Sequence, residues 1–599
     1  MTQKALWKSG SIVVLTIAVG LVFNGCTEYK KPLQKAYSSK QFIVTWTGDE
    51  DGANPDFVTV IDADPHSPNY GKVISTKTLP EGPAGANMIA LLPAVGFKAY
   101  PSNIPSSVLN EPHHVSDKLT KNKDFYMGGL ISGNIFKVNL ASLPTVPDIE
   151  LIGSPNPPAG QTAIRKIDFT GSDDFRIVSR PEGDYVLATF MGGRVSKAAD
   201  LKKGGGPTQT PGGLVLIKPD GTFIDFDATT PPVGQKPVPA NIIQPDDKGK
   251  DIGQLANPHG IDVRMDLKGD LGNGTTTNGL VITSDYADPL SLVTAIPSPY
   301  ATGTFTQKLR TTVRLWDLGA ILTATGPTSP VRPYKVIQMP DGPRIEKQVP
   351  IHEEPAGLMS TGLLHQGDHK GAFAASMCGG VLFYSADITV ANPVFKEVFD
   401  FGPCAGASVF TITPDDKYLI IPIAGIESPG DPTYNAGRHN YDRRVVQLDI
   451  QKLLDAGTGF ACNAPLDGTS GKPNNEAADC PTVLSEVKVN SDLNFLSHGG
   501  PHLVVLNSNA TRVAFSNYFV DLSLGFNFPG ANLALHGSGS NGDHRVYIAN
   551  FNPVSHKLEL DSSFRDEYDG LPGINFNRIH WPHGDSGYAK PHGLIFVEF

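Results

Sequence analysis

Short runs of β-branched and aromatic residues, each closed by Asp, Asn or Gly, recur along the chain: Val58–Asp62, Ile135–Asn139, Leu214–Gly221, Val313–Asp317, Val381–Tyr384, Val445–Asp449 and Arg545–Ile548. Runs of this makeup, each closed by a turn residue, predict β-strands. A second unit puts polar turn residues ahead of alternating apolar ones, at Thr413–Ile421 and Asn507–Phe515, which predicts hairpins. Seven such strands, each with neighbours of its own, predict an all-β protein built as a seven-bladed β-propeller over residues 41–599, a closed arrangement that leaves no long bare sheet edge. Two β-sandwiches are the alternative, but they need a linker, and no break in composition supplies one.

Composition agrees. The 63 Gly and 50 Pro are spread over all 599 residues, too often for long helices, which proline breaks and glycine weakens. Lys202–Gly206, Gly269–Asn278 and Asp467–Asp479 are polar and Gly-rich and read as surface insertions. The net charge of -11 comes with scattered Lys and Arg. Without a basic stripe to neutralise phosphates, nucleic acid is not an expected partner.

The first residues change the picture from a fold to a location. Lys4 and Lys8 precede an apolar run from Ile12 to Phe23, and Gly25-Cys26 follows. This is the pattern of an export signal, and the apolar run is short of the roughly 20 residues that span a bilayer. Residues 1–25 are expected to be a lipoprotein-type signal peptide, with Cys26 as the lipidated residue and 26–40 as a tether. Val22–Cys26 resembles a bacterial lipobox, with Phe23 and Asn24 departing from its usual choices. The expected location is the outer membrane or periplasm, with simple secretion as the alternative and membrane contact through the lipid anchor alone. Export permits disulfides. Cys462 and Cys480 flank a loop-forming stretch and are the expected bridge, while Cys378 and Cys404 are left open.

The chain has no GxSxG, P-loop or HExxH motif, which removes the common signatures of hydrolases, nucleotide binders and zinc proteases. Histidine stands out instead, and it is the commonest metal ligand. His113-His114 follows Glu111-Pro112; Pro-His-Gly occurs at 258–260 and 591–593; Pro582-His583-Gly584 is a near variant; and 497–502 reads Ser-His-Gly-Gly-Pro-His. Adjacent residues of a strand point to opposite faces, so His113 and His114 can serve one ion only if the chain turns there. Each histidine alone also fits an ordinary hydrogen-bonded loop residue.

The run Phe57–Ile74, with Asp62-Ala63-Asp64-Pro65-His66-Ser67-Pro68-Asn69-Tyr70, resembles the first blade of the selenium-binding protein and methanethiol oxidase family. So do Glu111-Pro112-His113-His114 and the following Leu130–Val138, in the same order and spacing. Looser matches are Pro258–Asp262 before Val281–Tyr286, Val313–Asp317, Leu364-His365 before Phe383-Tyr384, and His580 with Pro582–Asp585. The resemblance implies a seven-bladed propeller, copper held by histidines, and oxidation of methanethiol by oxygen and water to formaldehyde, hydrogen sulfide and hydrogen peroxide. It makes His113, His114 and His580 the first ligand candidates, with His259 and His365 next. Two departures stand out. Ile43–Gly48 lacks the family's selenium-linked cysteine, and Phe175–Gly183 lacks the histidines of its His-Thr-x-His-Cys motif. Either a ligand is missing there or His259 replaces it.

The expected function is therefore a copper-dependent oxidase of methanethiol or a related small sulfur compound, with oxygen as co-substrate. The alternative is a non-catalytic exported propeller that serves as a binding scaffold. A calcium-dependent lactonase is a third reading, resting on Asp262 and Asp285.

Overall fold

All seven apolar runs occupy the same place in their sheets: each is the third strand counted from the centre. Such a strand has a neighbour on either side and a blade packed over each face, so Phe57–Asp62, Thr312–Asp317 and Val381–Ser385 are buried almost throughout. That double burial is why their sequences are continuous and apolar rather than alternating.

The computed structural model describes residues 40–80, 107–108, 110–155, 157, 160–192, 211–228, 256–287, 310–340, 357–377, 379–402, 405–424, 443–463, 477–489, 500–518 and 543–599. The chain is all-β, with seven sheets arranged as a seven-bladed propeller. From the centre outwards, the first blade begins Pro112–Val115, Asp124–Gly129, Ile135–Asn139, Asp148–Ser154. The second begins with Thr170–Arg180, the third with Pro258–Arg264, the fourth with Leu358–Leu363, the fifth with Thr411–Ile412 and the sixth with Leu503–Leu506. The closing blade joins both ends of the described chain: Ala589–Glu598 is its innermost strand and pairs antiparallel with Gln41–Asp49, followed by Phe57–Asp62 and Val73–Thr78. This pairing ties the last strand to the first and closes the ring.

Apolar layers between blades hold the ring together. Leu214, Leu216 and Phe226 of the second blade meet Ile261, Val281 and Trp316 of the third. Phe373 and Leu382 of the fourth meet Leu419 and Val446 of the fifth. Buried apolar area of this kind stabilises by about 25 cal/mol per Å². Cys462 and Cys480 are disulfide-bonded, with Cα atoms 4.9 Å apart, and both lie in the core cluster between the fourth and fifth blades. The export signal, Cys26 and its tether as far as residue 39, Cys378 and Cys404 lie outside the described residues. Among the described residues no helix is long and apolar enough to cross a membrane.

Candidate metal centre

Four of the innermost strands place two residues opposite one at a register break. In the first blade Pro112 pairs with Gly129 and Val115 with Met127, so His113 and His114 together face Gly128. In the second, Asp173 and Asp174 face Thr189. In the third, His259 and Gly260 face Ser284. In the closing blade, His592 and Gly593 face Trp46. Two residues opposite one is a β-bulge, a device that re-aims side chains. The first residue of each bulge is His113, Asp173, His259 or His592.

The bulge also answers how His113 and His114 can share one site. Their rings stack, 4.4 Å apart and 7° from parallel, where a regular strand would send them to opposite faces. Glu111, just before, has φ of 48° and is non-glycine. The tight turn into the strand is thus enforced by its surroundings. Each innermost strand is a sheet edge, so Pro112, Pro258 and Pro591, which lack an N–H, cost it no ladder bond on its open side. Pro501 plays the same part just ahead of His502 and the strand Leu503–Leu506. Glycine at the second bulge position lets neighbouring strands close in: a Cβ on Gly593 would lie 2.4 Å from the His113 carbonyl oxygen.

Six side chains from five blades meet here. Asp173 places Oδ1 2.9 Å from His114 Nδ1, and Oδ2 3.3 Å from His113 Nε2 and 3.3 Å from His259 Nε2. On the far side of the stacked pair, His114 Nε2 and His502 Nε2 are hydrogen-bonded at 2.9 Å. His592 lies with its ring 4.4 Å from that of His113 and 4.8 Å from that of His502. All six residues are at most 3% exposed. Their donor atoms form two overlapping sets within 4.8 Å, one of His113, His114, His502 and His592, the other of His113, His114, Asp173 and His259.

Burial pushes four of the imidazoles toward the neutral form. It lowers the pKa of His113 against the pull of Asp173, takes His259 to about 3, and holds His502 and His592 well below the usual histidine range, with mutual repulsion adding to it. Burial acts in the opposite sense on Asp173, but the attraction of His259, His113 and His114 outweighs it and keeps the carboxyl well below its ordinary value. Neutral imidazole and ionised carboxylate are the forms that bind a cation.

The residues fit a metal ion. Both ring nitrogens of His113 and of His592, Nδ1 of His114 and of His259, and both Asp173 oxygens are buried with no hydrogen-bond partner. The contacts to Asp173 are close but are not aligned as hydrogen bonds. Buried polar atoms in such numbers call for a partner, and imidazole nitrogens converging beside one negative charge could hold a cation.

The surrounding wall is polar and engaged. Tyr518 stands edge-on to His592 and donates from its hydroxyl to Glu111 at 2.7 Å, and Lys590 Nζ lies 3.7 Å from the other Glu111 oxygen. Tyr286 stands edge-on to His259, with its hydroxyl on the Met377 sulfur.

His113, His114 and His259 are therefore in the cluster, while His365 and His580 stand elsewhere. His365 follows the far end of the strand Leu358–Leu363 and bonds through Nε2 to the Ile412 carbonyl at 3.2 Å. His580 is 62% exposed and pairs with Asp585 in a small ribbon. Asp285 is taken up by Arg314 and Thr312, and Asp262 accepts from the Leu363 N–H; neither belongs to a donor set. His502, His592 and Asp173 complete the cluster. The first two lie in the Pro-His motifs of the sequence. Asp173 carries no signal in the sequence; the bulge of the second blade's innermost strand brings its carboxylate to the cluster.

The chain's fold is similar to that of a hypothetical selenium-binding protein from Sulfolobus tokodaii, with a TM-score of 0.53 and 13% identity over 94% of this chain and 94% of that one. It is also similar to a periplasmic gluconolactonase from Pseudomonas aeruginosa, with a TM-score of 0.42 and 10% identity over 93% of this chain and 99% of that one. At 13% identity the first likeness speaks to the fold alone, and the second is looser still. No family model and no curated protein matches the sequence.

Proposed function

We propose that this chain is a copper-dependent oxidase of a small thiol, with methanethiol as the leading substrate. The observation that carries the reading is the convergence of five buried imidazoles and one carboxylate from five blades, with many of their donor atoms unpartnered. The resemblance of Phe57–Ile74 and Glu111–His114 to methanethiol oxidases supports the reaction class. Imidazole clusters suit copper among the metals available to them.

His113, His114, His259, His502, His592 and Asp173 would hold the ion. When bound, copper supplies a soft Lewis-acid site for a thiolate and one-electron exchange with oxygen. The chain's own part is to keep His113, His259, His502 and His592 neutral by burial, to offset the ion's charge with Asp173, and to fix the rings between packed strands. Tyr518, held by Glu111, packs edge-on against His592 and fixes that side of the cluster.

We also propose that the protein is exported and lipidated at Cys26, and that it resides in the periplasm or outer membrane. The Cys462–Cys480 disulfide supports an oxidising compartment.

The test is oxygen uptake and sulfide release from methanethiol by copper-loaded protein, beside a His113→Ala, His114→Ala double variant. Turnover lost in the variant supports the oxidase. Copper binding without turnover of methanethiol or other small thiols leaves the binding scaffold as the function.

A further inference from the structure

A continuous line of contacts runs from Asp173 through His114 and His502 to Ser408. Asp173 Oδ1 lies 2.9 Å from His114 Nδ1, His114 Nε2 lies 2.9 Å from His502 Nε2, and His502 Nδ1 is hydrogen-bonded to the Ser408 hydroxyl. Ser408 comes from the fifth blade, is 1% exposed, and is pinned through its N–H to the Pro422 carbonyl.

The directions of these contacts follow from elementary rules. A carboxylate only accepts, and a ring lone pair facing it at 2.9 Å would be repelled, so the His114 proton sits on Nδ1. With His114 neutral, as a metal ligand must be, its Nε2 is a lone pair, and His502 donates to it from Nε2. That leaves His502 Nδ1 as an acceptor, and Ser408 donates to it. A cation that takes the Nε2 lone pair of His502 requires the other tautomer, with the proton on Nδ1. Ser408 must then accept. A hydroxyl can do either, because its hydrogen rotates about the C–O bond.

We propose that Ser408 is a positioning residue that lets His502 exchange tautomers when a metal ion enters, and that it sets the ion's affinity through this reversal. The proposal rests on the metal reading above. Groups that orient a ligating histidine through its second nitrogen typically change metal affinity by roughly 10- to 100-fold when removed.

The test compares Ser408→Thr with Ser408→Val, two side chains of nearly equal volume that differ in the hydroxyl, alongside Ser408→Ala. Copper(II) affinity is measured by competition with a chelator, and cobalt(II) is used to read the ligand-field spectrum. The thermal midpoint of each metal-free protein reports any packing defect common to Thr and Val. The expected result is near wild-type affinity and spectrum for Thr, and an affinity roughly 10- to 100-fold weaker with an altered spectrum for Val and Ala. Equal affinities for Thr and Val overturn the proposal while leaving the metal site standing. Wild-type protein that binds neither ion overturns the metal reading and the proposal with it.

Discussion

His113 and Asp173 occupy the same register break in neighbouring blades: each is the first of two bulge residues facing a single partner residue, and His113 Nε2 lies 3.3 Å from Asp173 Oδ2. His259 and His592 repeat the position in two further blades. The candidate metal centre is thus a ring of equivalent positions. One carries a carboxylate in place of imidazole, and the fourth blade places the apolar Met359 at its own register break.

Asp173 is the cluster's only negative charge among the donor sets. Asp173→Asn keeps the shape and removes that charge, and is expected to weaken metal binding by at least roughly tenfold. Chelator competition on the purified variant measures it; unchanged affinity would place the ion on the His502 and His592 side.

Gly593→Ala tests the closeness of the innermost strands. The added Cβ would meet the His113 carbonyl oxygen at 2.4 Å, which neither backbone can relieve without moving His113. The expected result is a loss of about 1–3 kcal/mol in stability together with weaker metal binding, read by denaturant unfolding and by chelator competition.

Asp400 gives a pH dependence away from the cluster. Its Oδ1 accepts from the Gly402 N–H, while Oδ2 is buried without a partner, and burial raises its pKa from 3.8 to about 6. Between those values the folded protein holds a proton that the unfolded chain releases, so this group's contribution to stability falls as pH rises through the window and stays low above it. Asp400→Asn removes that dependence. The variant is expected to gain roughly 1–3 kcal/mol relative to wild type on going from pH 4 to pH 7, measured by denaturant unfolding at both pH values; parallel curves for the two proteins would contradict the assignment.

His365→Ala and His580→Ala are expected to leave metal content unchanged, because His365 is held by the Ile412 carbonyl and His580 by Asp585. Elemental analysis of either variant showing loss of the ion would move the site.

What the sequence made legible follows burial. The third strands are covered on both faces, so their apolar runs were plain, and with them the number of blades. The innermost strands run from two residues at Thr411–Ile412 to eleven at Thr170–Arg180, and at the site they are polar and broken by bulges. Periodicity has nothing to grip there, and the histidines had to be read from motifs. Resemblance picks out His113, His114 and His259, which lie in the cluster, together with His365 and His580, which do not, and it leaves aside His502 and His592 although they share the Pro-His pattern. Asp173 could not be reached, because an Asp-Asp pair in a polar stretch reads as solvated surface. Its role exists through a bulge that only strand pairing reveals.

The most direct test of the central claim is the metal content of the mature protein, purified without chelator and then loaded with copper, beside the His113→Ala, His114→Ala variant. Both donor sets contain these two histidines, so about one copper per chain in the wild type and none in a folded double variant is the predicted result. A wild-type protein that retains no metal after loading, or a folded variant that retains as much as the wild type, would contradict it.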